Sequence, residues 1–244
     1  MNERIRLLMR MEYAFRYLEG KESTPVDERQ HMSLNALLDL IDLVSRSDTT
    51  VEIIKELERI SNNLSELQHL PGVDRQRLTN ILENVDSLTR RLGQQSSRHY
   101  QSTIDAELLS TLKRRHNISC GNTEFDQPLL KHWLIKPEQE REQQLQTWMQ
   151  PFTTLKLAVQ LILQLIRESA ETVPSVALGG FYQHTLDSDQ PAQLIRVCPD
   201  APECYPVISA GRHRFTVRFM RQPQLDQPTH VEDTVYFQLG CCTL

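Results

Sequence analysis

A strand is predicted near the end of the chain, from Arg212 to Met220, and its alternate positions carry Arg212, Arg214, Thr216 and Arg218. Side chains alternate between the two faces of a strand, so Arg214 and Arg218 share one face and the three apolar residues Phe215, Val217 and Phe219 share the other. Neighbouring like charges do not stabilise a sheet. An arginine row on an acidic chain therefore predicts a partner bearing carboxylates or phosphates. The alternative is a solvated sheet face, with arginine stems covering apolar surface.

A second basic feature lies in the first predicted helix. Arg6 and Arg10 are four residues apart and therefore on one helical face, which Tyr13 and Tyr17 continue. Arginine and tyrosine are the residue types typical of protein interfaces. The alternative is the ordinary polar face of an amphipathic helix.

Patterns typical of catalysis or metal binding are missing from the sequence. The eight histidines form no HExxH motif, and Cys198 and Cys204 belong to no CxxC pair. The adjacent Cys241 and Cys242 are poorly placed to chelate one metal, and neither GxSxG nor a glycine-rich phosphate loop occurs. We therefore predict a binding protein that is not an enzyme and has no cofactor or metal. A metal protein or enzyme using Cys198, Cys204 and nearby histidines is a less favoured hypothesis.

Composition restricts the partners and the compartment. The net charge of -5 argues against general nucleic-acid binding, although a local basic patch remains compatible with it. No apolar run reaches the roughly 18 residues of a membrane span, and residues 1–10 have no continuous signal-peptide core. The five cysteines, mostly near the C-terminal end, fit reduced thiols better than a disulfide framework. We expect a cytoplasmic protein.

Helical periodicity predicts the elements of the first two-thirds of the chain. The first helix ends near Gly20, and the next begins at an N-cap formed by Ser33. Later helices are predicted with N-caps at Asp48 or Thr49, at Asp74 (ending near Leu92) and at Asp126, together with a helix over 104–115 whose last turn is basic. The longest run, 138–170, contains Pro151, which should kink or divide it.

The pattern changes after Pro174. Short runs rich in β-branched and aromatic residues predict strands over 176–184, 194–198, 212–220 and 231–239. The predicted fold class is α+β, with a mostly helical domain (residues 1–173) followed by a small antiparallel β-sheet domain (residues 174–244) packed against the helices.

Several short motifs together resemble the ZapD family, the Z-ring-associated proteins of bacterial cell division. They run in order along nearly the whole chain: Asn2-Glu3-x-x-Arg6-x-x-x-Arg10-x-Glu12, Lys55-Glu56-Leu57, Pro71-Gly72-Val73-Asp74, Phe125-Asp126-x-Pro128-x-x-x-x-Trp133-Leu134, Gly180-Phe181-Tyr182-Gln183, Arg214-Phe215-x-x-Arg218-Phe219-Met220 and Cys241-Cys242.

The resemblance implies an α+β homodimer that binds the C-terminal tail of the tubulin-like GTPase FtsZ. Family members bundle FtsZ protofilaments, promote assembly of the Z-ring and lower FtsZ GTPase activity without being enzymes. This implies a cytoplasmic protein recruited to the mid-cell division ring.

The resemblance also suggests which side chains bind the tail. Arg6 and Arg10 fall in the N-terminal motif, Arg214 and Arg218 in the strand motif, and Arg46 at a position where similar proteins also have arginine, while Arg212 is a possible rim contributor. The helix with an acidic start at Asp105 and Glu107 is left out of the site. The alternative function is a cytosolic adaptor that binds another acidic protein, or nucleic acid, through the same basic faces.

Overall fold

The computed structural model describes residues 3–19, 26–45, 48–96, 98–116, 118, 123, 125–187, 192–211, 213–223 and 227–244. The chain divides into two compact units. We call residues 7–162 the helical unit, and residues 1–6 with 163–244 the strand unit. The fold class is α+β as predicted, with helices first and antiparallel strands after them. The domain boundary at residue 173 stays a prediction.

Nine α-helices are described, and their apolar stripes form the core of the helical unit. Ile53, Leu57 and Ile60 follow helical spacing and are completely buried, as are Leu155 and Val159. Pro151 divides the long predicted run at a 3₁₀ turn, Gln150–Phe152, as the sequence indicated. The helices are α1 (Glu3–Leu18), α2 (Val26–Val44), α3 (Thr49–Glu66), α4 (Arg75–Gly93), α5 (Gln101–Ile104), α6 (Glu107–Arg115), α7 (Pro128–Leu134), α8 (Glu138–Met149) and α9 (Thr153–Glu168).

Two predicted N-caps are wrong. α2 begins at Val26, so Ser33 lies inside the helix, where its hydroxyl donates to the carbonyl of Arg29 at 3.0 Å. This bond to the preceding turn is the other common use of a serine hydroxyl. α7 begins at Pro128 with Gln127 at the N-cap position, so Asp126 lies one residue too early. Proline favours the first helical position because an N–H there would have no intrahelical acceptor, so its absence costs no hydrogen bond.

The predicted N-cap at Asp74 is confirmed, since its carboxylate accepts a hydrogen bond from the backbone N–H of Arg77 at 3.1 Å. Asp74→Ala should lower the free energy of unfolding by about 1 kcal/mol, because that N–H loses its acceptor. Urea denaturation followed by circular dichroism measures the loss. Asp74→Asn is the matched control and should stay within about 0.5 kcal/mol of the wild type, because an asparagine oxygen caps equally well. Equal losses in both variants would contradict the capping role.

The strand unit contains two antiparallel sheets. One has the order β1-β7-β3, and the other has the order β2-β5-β4, with β6 paired to β5. Aromatic and branched side chains from both sheets form one core, in which the rings of Phe219 and Phe237 lie 5.1 Å apart. The strands are β1 (Val173–Ala177), β2 (Phe181–Thr185), β3 (Leu194–Pro199), β4 (Cys204–Ala210), β5 (Arg214–Arg221), β6 (Thr229–His230) and β7 (Val235–Cys242).

The strand prediction needs two corrections. The run 176–184 is not one strand, because Gly179 and Gly180 adopt positive φ angles of 57° and 65° and separate β1 from β2. β4 was missed, because Pro206 interrupts the pattern and proline argues against a central strand. β4 is an edge strand of its sheet, which is where proline is tolerated.

Candidate partner-binding site

The arginine row predicted from the sequence lies on β5, the central strand of its sheet. Phe215, Val217 and Phe219 are completely buried on one side. Arg214 and Arg218 are exposed on the other side. Strand alternation therefore divides this segment into a core face and a cationic face, as predicted.

Cross-strand pairing determines what surrounds these arginines. Arg218 lies opposite Phe181 on β2 and Val207 on β4, whose side chains are 41% and 48% exposed. The next positions along the same face are polar. We call this surface the β5 arginine face, and it comprises Phe181, Gln183, Val207, Ser209, Arg214, Thr216 and Arg218.

The two guanidinium groups on this face are available to a partner. Within the described ranges, no carboxylate lies within ion-pair distance of Arg214 or Arg218. Two cations with an apolar flank can bind an anionic segment that also has apolar side chains. Sequence reasoning missed Phe181 and Val207 as neighbours of Arg218, because their position depends on strand register, which the strand pattern did not specify.

In the helical unit, Arg10 lines a groove of about 420 Å³ between α1 and α2. Tyr13 lies beside it, 54% exposed, and its hydroxyl hydrogen-bonds that of Tyr17 at 3.0 Å. That hydrogen bond raises the pKa of Tyr13 above its ordinary value, because it holds the phenol proton. The two tyrosines therefore form a hydrogen-bonded pair next to the arginine.

The opposite wall of the groove contains Asp39 and Asp42 of α2, which would oppose an anionic ligand. Both carboxylates have partners at the C-terminal end of α6, one in its last turn and one just after it. The Nε2 atom of His116 lies 2.9 Å from Asp39, and the Nζ atom of Lys113 lies 3.2 Å from Asp42. The basic last turn of α6, predicted to complement the helix dipole, thus also provides a lysine that neutralises an α2 carboxylate. Among the described residues, Arg10 itself has no carboxylate within ion-pair distance.

The other predicted site residues differ in their surroundings. Arg6, in the strand-unit part of α1, is exposed and forms a solvated ion pair with Glu3 at 3.6 Å. Exposed pairs of this kind contribute little to stability and exchange readily for another anion. Arg46 and Arg212 lie outside the described residues.

Comparison with known proteins decides the family. Residues 9–218 match the family model named ZapD, described as a cell division protein. The chain belongs to the ZapD family. It is 34% identical to the cell division protein ZapD of Shewanella oneidensis over 243 residues, which covers 99% of this chain and 96% of that relative.

Other ZapD proteins give the same result. The chain is 32% identical to the ZapD of Photobacterium profundum, over 99% of this chain and 96% of that protein. It is 30% identical to the ZapD of Coxiella burnetii, over 100% of this chain and 96% of that protein. ZapD membership supports a role in cell division for this chain.

The described part of this ZapD family member has neither a metal-ligand cluster nor a membrane-spanning helix. In the part of the chain that the structure describes, no three His, Cys, Asp or Glu side chains are grouped so that they could hold a metal ion. The described helices include none with the length and apolar character needed to cross a membrane.

Proposed function

We propose that this chain is a non-enzymatic cell division factor that binds the C-terminal tail of FtsZ through its arginine surfaces. Binding crosslinks FtsZ protofilaments into bundles, promotes assembly of the Z-ring and lowers FtsZ GTPase activity. The main support is the pair Arg214 and Arg218, exposed on a central strand with no carboxylate of the described residues in reach. Arg6 in the strand unit and Arg10 and Arg46 in the helical unit are further proposed tail contacts, with Arg212 as a rim contributor to the arginine row.

Arginine suits this role because its guanidinium can form two parallel hydrogen bonds with one carboxylate. Each such charged hydrogen bond contributes about 1.5–3 kcal/mol. A few of them bind a short acid-containing peptide moderately well, without requiring a deep pocket. A rim of apolar side chains such as Phe181 and Val207 adds contacts that do not depend on charge.

Bundling requires at least two tail sites on one particle. We propose a homodimer, since a twofold dimer has two copies of every site and each copy can engage a different filament. A polymer displays many tails, so weak individual contacts gain avidity along the filament. The protein acts in the cytoplasm and concentrates at the mid-cell division ring wherever such tails are dense.

The test mixes the purified protein with GTP-assembled FtsZ, either full length or lacking its tail. Light scattering and low-speed pelleting measure bundling, and phosphate release measures GTPase activity. We expect bundling and slower phosphate release with full-length filaments only. Bundling of both forms would move the contact to the globular part of FtsZ. No effect on either would contradict the proposed function and favour an adaptor for another acidic partner.

A further inference from the structure

The free edge of β4 is the feature of the strand unit that the proposed function leaves unused. Among the described strands, only β5 pairs with β4, so no described strand is hydrogen-bonded to its other edge. Val207 and Ile208 point to opposite faces of the sheet, and both are exposed, at 48% and 40%. Ser209 and Ala210 are exposed as well. This end of β4 is thus uncovered on both faces and along one edge.

The alternation of hydrogen bonds between β4 and β5 shows which backbone groups of β4 point away from β5. The N–H of Gly211 donates to the carbonyl of Arg214 at 2.9 Å, so these residues form a hydrogen-bonded pair. Such pairs alternate along an antiparallel ladder. Ser209 and Val207 therefore bond to β5, whereas the N–H and C=O groups of Ile208 and Ala210 point away from it.

Free edges are usually protected against pairing by lysine, by inward-pointing charges, by bulges or by proline. The four residues 207–210 are valine, isoleucine, serine and alanine, and none of them is charged. Pro206 shares the outward phase and marks one end of the open segment. An exposed, uncharged and β-prone edge is a template for one more strand.

The arginines on β5 indicate the charge of that strand. Neighbouring strands lie about 4.8 Å apart, so an added strand would lie about 10 Å from β5. Arg218 lies opposite Val207, and Thr216 lies opposite Ser209, so the side chains between the arginines and the edge are small. A guanidinium that extends across β4 covers most of the distance, and an acidic side chain on the added strand covers the remainder.

We propose that the β4 edge binds an extended, acid-containing segment of the partner as an additional strand, with its carboxylates directed to Arg214 and Arg218. This inference rests on the proposed function and specifies the binding mode of the tail. Backbone hydrogen bonds at Ile208 and Ala210 provide affinity, and the arginines select acidic side chains. A second copy of the chain fits less well, because edge-to-edge pairing would add another arginine row and no carboxylate.

Ala210→Pro tests the proposal with a synthetic FtsZ tail peptide as the probe. Proline removes an outward N–H that β5 does not use, and Pro206 occupies the same phase in the same strand, so the sheet should fold. We expect the peptide Kd, measured by fluorescence anisotropy, to rise about tenfold or more, as loss of a backbone hydrogen bond and steric blocking predict. Ala210→Thr is the matched control, keeps the N–H, and should remain within about twofold.

A second measurement keeps the test valid if Ala210→Pro does not fold. N-methylation of every second peptide amide should weaken binding to the wild-type protein when the methylated amides face β4. Methylation of the other set, which faces away from β4, should have little effect. Equal affinity of the two methylated peptides would overturn strand addition and leave the proposed function intact. The same conclusion would follow if folded Ala210→Pro kept its affinity while Arg214→Glu lost binding. Altered self-association with unchanged peptide affinity would assign the edge to a second copy and overturn the proposed occupant. No binding to the wild type would overturn both.

Discussion

Replacing Arg214 with glutamate is expected to reduce bundling of full-length FtsZ filaments to the level seen without the protein. The change removes the charged hydrogen bond proposed between Arg214 and the tail. It also places a carboxylate next to the tail's own carboxylate, and the two repel each other. Together these effects should cost about 3–4 kcal/mol per site, or a several-hundred-fold loss of affinity. Because a bundling dimer needs both of its sites, the low-speed pellet should contain essentially no FtsZ above the amount found without the protein.

The control for this variant is Arg75→Glu, which changes the net charge by the same amount. Arg75 is exposed at the first position of α4, where an acidic residue complements the helix dipole, so the fold should not suffer. Bundling by the control should match the wild type. Circular dichroism and sedimentation must show that Arg214→Glu keeps its fold and its oligomeric state. Normal bundling by a folded Arg214→Glu variant would remove the β5 arginine face from the site.

Gly180→Ala is expected to be the most destabilising small substitution in the strand unit. Gly180 has a φ of 65°, and a β-carbon built there would lie 2.0 Å from the carbonyl oxygen of Val231. The clash is with backbone, so rotation of a side chain cannot relieve it. The φ strain and the displacement of the 231 segment together should lower the free energy of unfolding by about 3 kcal/mol.

Gly179→Ala is the matched control, because it lies in the same turn and also has a positive φ, 57°. Its added β-carbon would meet nothing closer than the carbonyl oxygen of Glu232 at 3.7 Å, an ordinary contact. Only the backbone strain remains, and the expected loss is about 1 kcal/mol. Denaturant unfolding of both variants gives the comparison. Equal losses would mean that the backbone near Val231 can move without cost.

The helical part of the fold was predictable because its signals are local. Helical spacing predicted the long run 138–170, in which Leu145, Trp148 and Ile162 are buried, and Pro151 predicted its interruption. The N-cap at Asp74 follows a break, Pro71-Gly72, that is also local. The N-cap prediction at Ser33 was wrong because a serine hydroxyl inside a helix bonds equally well to the preceding turn.

The strands were harder to predict, since their pairing depends on residues far apart in the chain. The two faces of β5 were read correctly from alternation alone. The division between β1 and β2 depends on two positive φ angles, and β4 depends on being an edge where Pro206 is tolerated. The edge position of β4 could not be recognised before the sheet order was known, whereas Gly179-Gly180 is a local turn signal that the strand prediction did not use.

The candidate site was predictable as a set of cations but not as a surface. Arg214 and Arg218 are exposed as alternation required, and Arg10 lies beside Tyr13 as helical spacing required. The apolar flank of Arg218 and the pairing of Asp39 with His116 and of Asp42 with Lys113 arise from register and packing, which those patterns did not specify. The tail contact itself stays a prediction.

The central position of β5 has a mechanical consequence. Its backbone is held by ladders to β2 on one side and to β4 on the other. In the proposed crosslink, the tension on a bound tail would pass through the arginine side chains into this strand. A central strand can leave only by shearing both ladders at once, whereas a loop would yield one residue at a time. The arginines therefore lie on a strand that is held along both of its edges against a sustained pull.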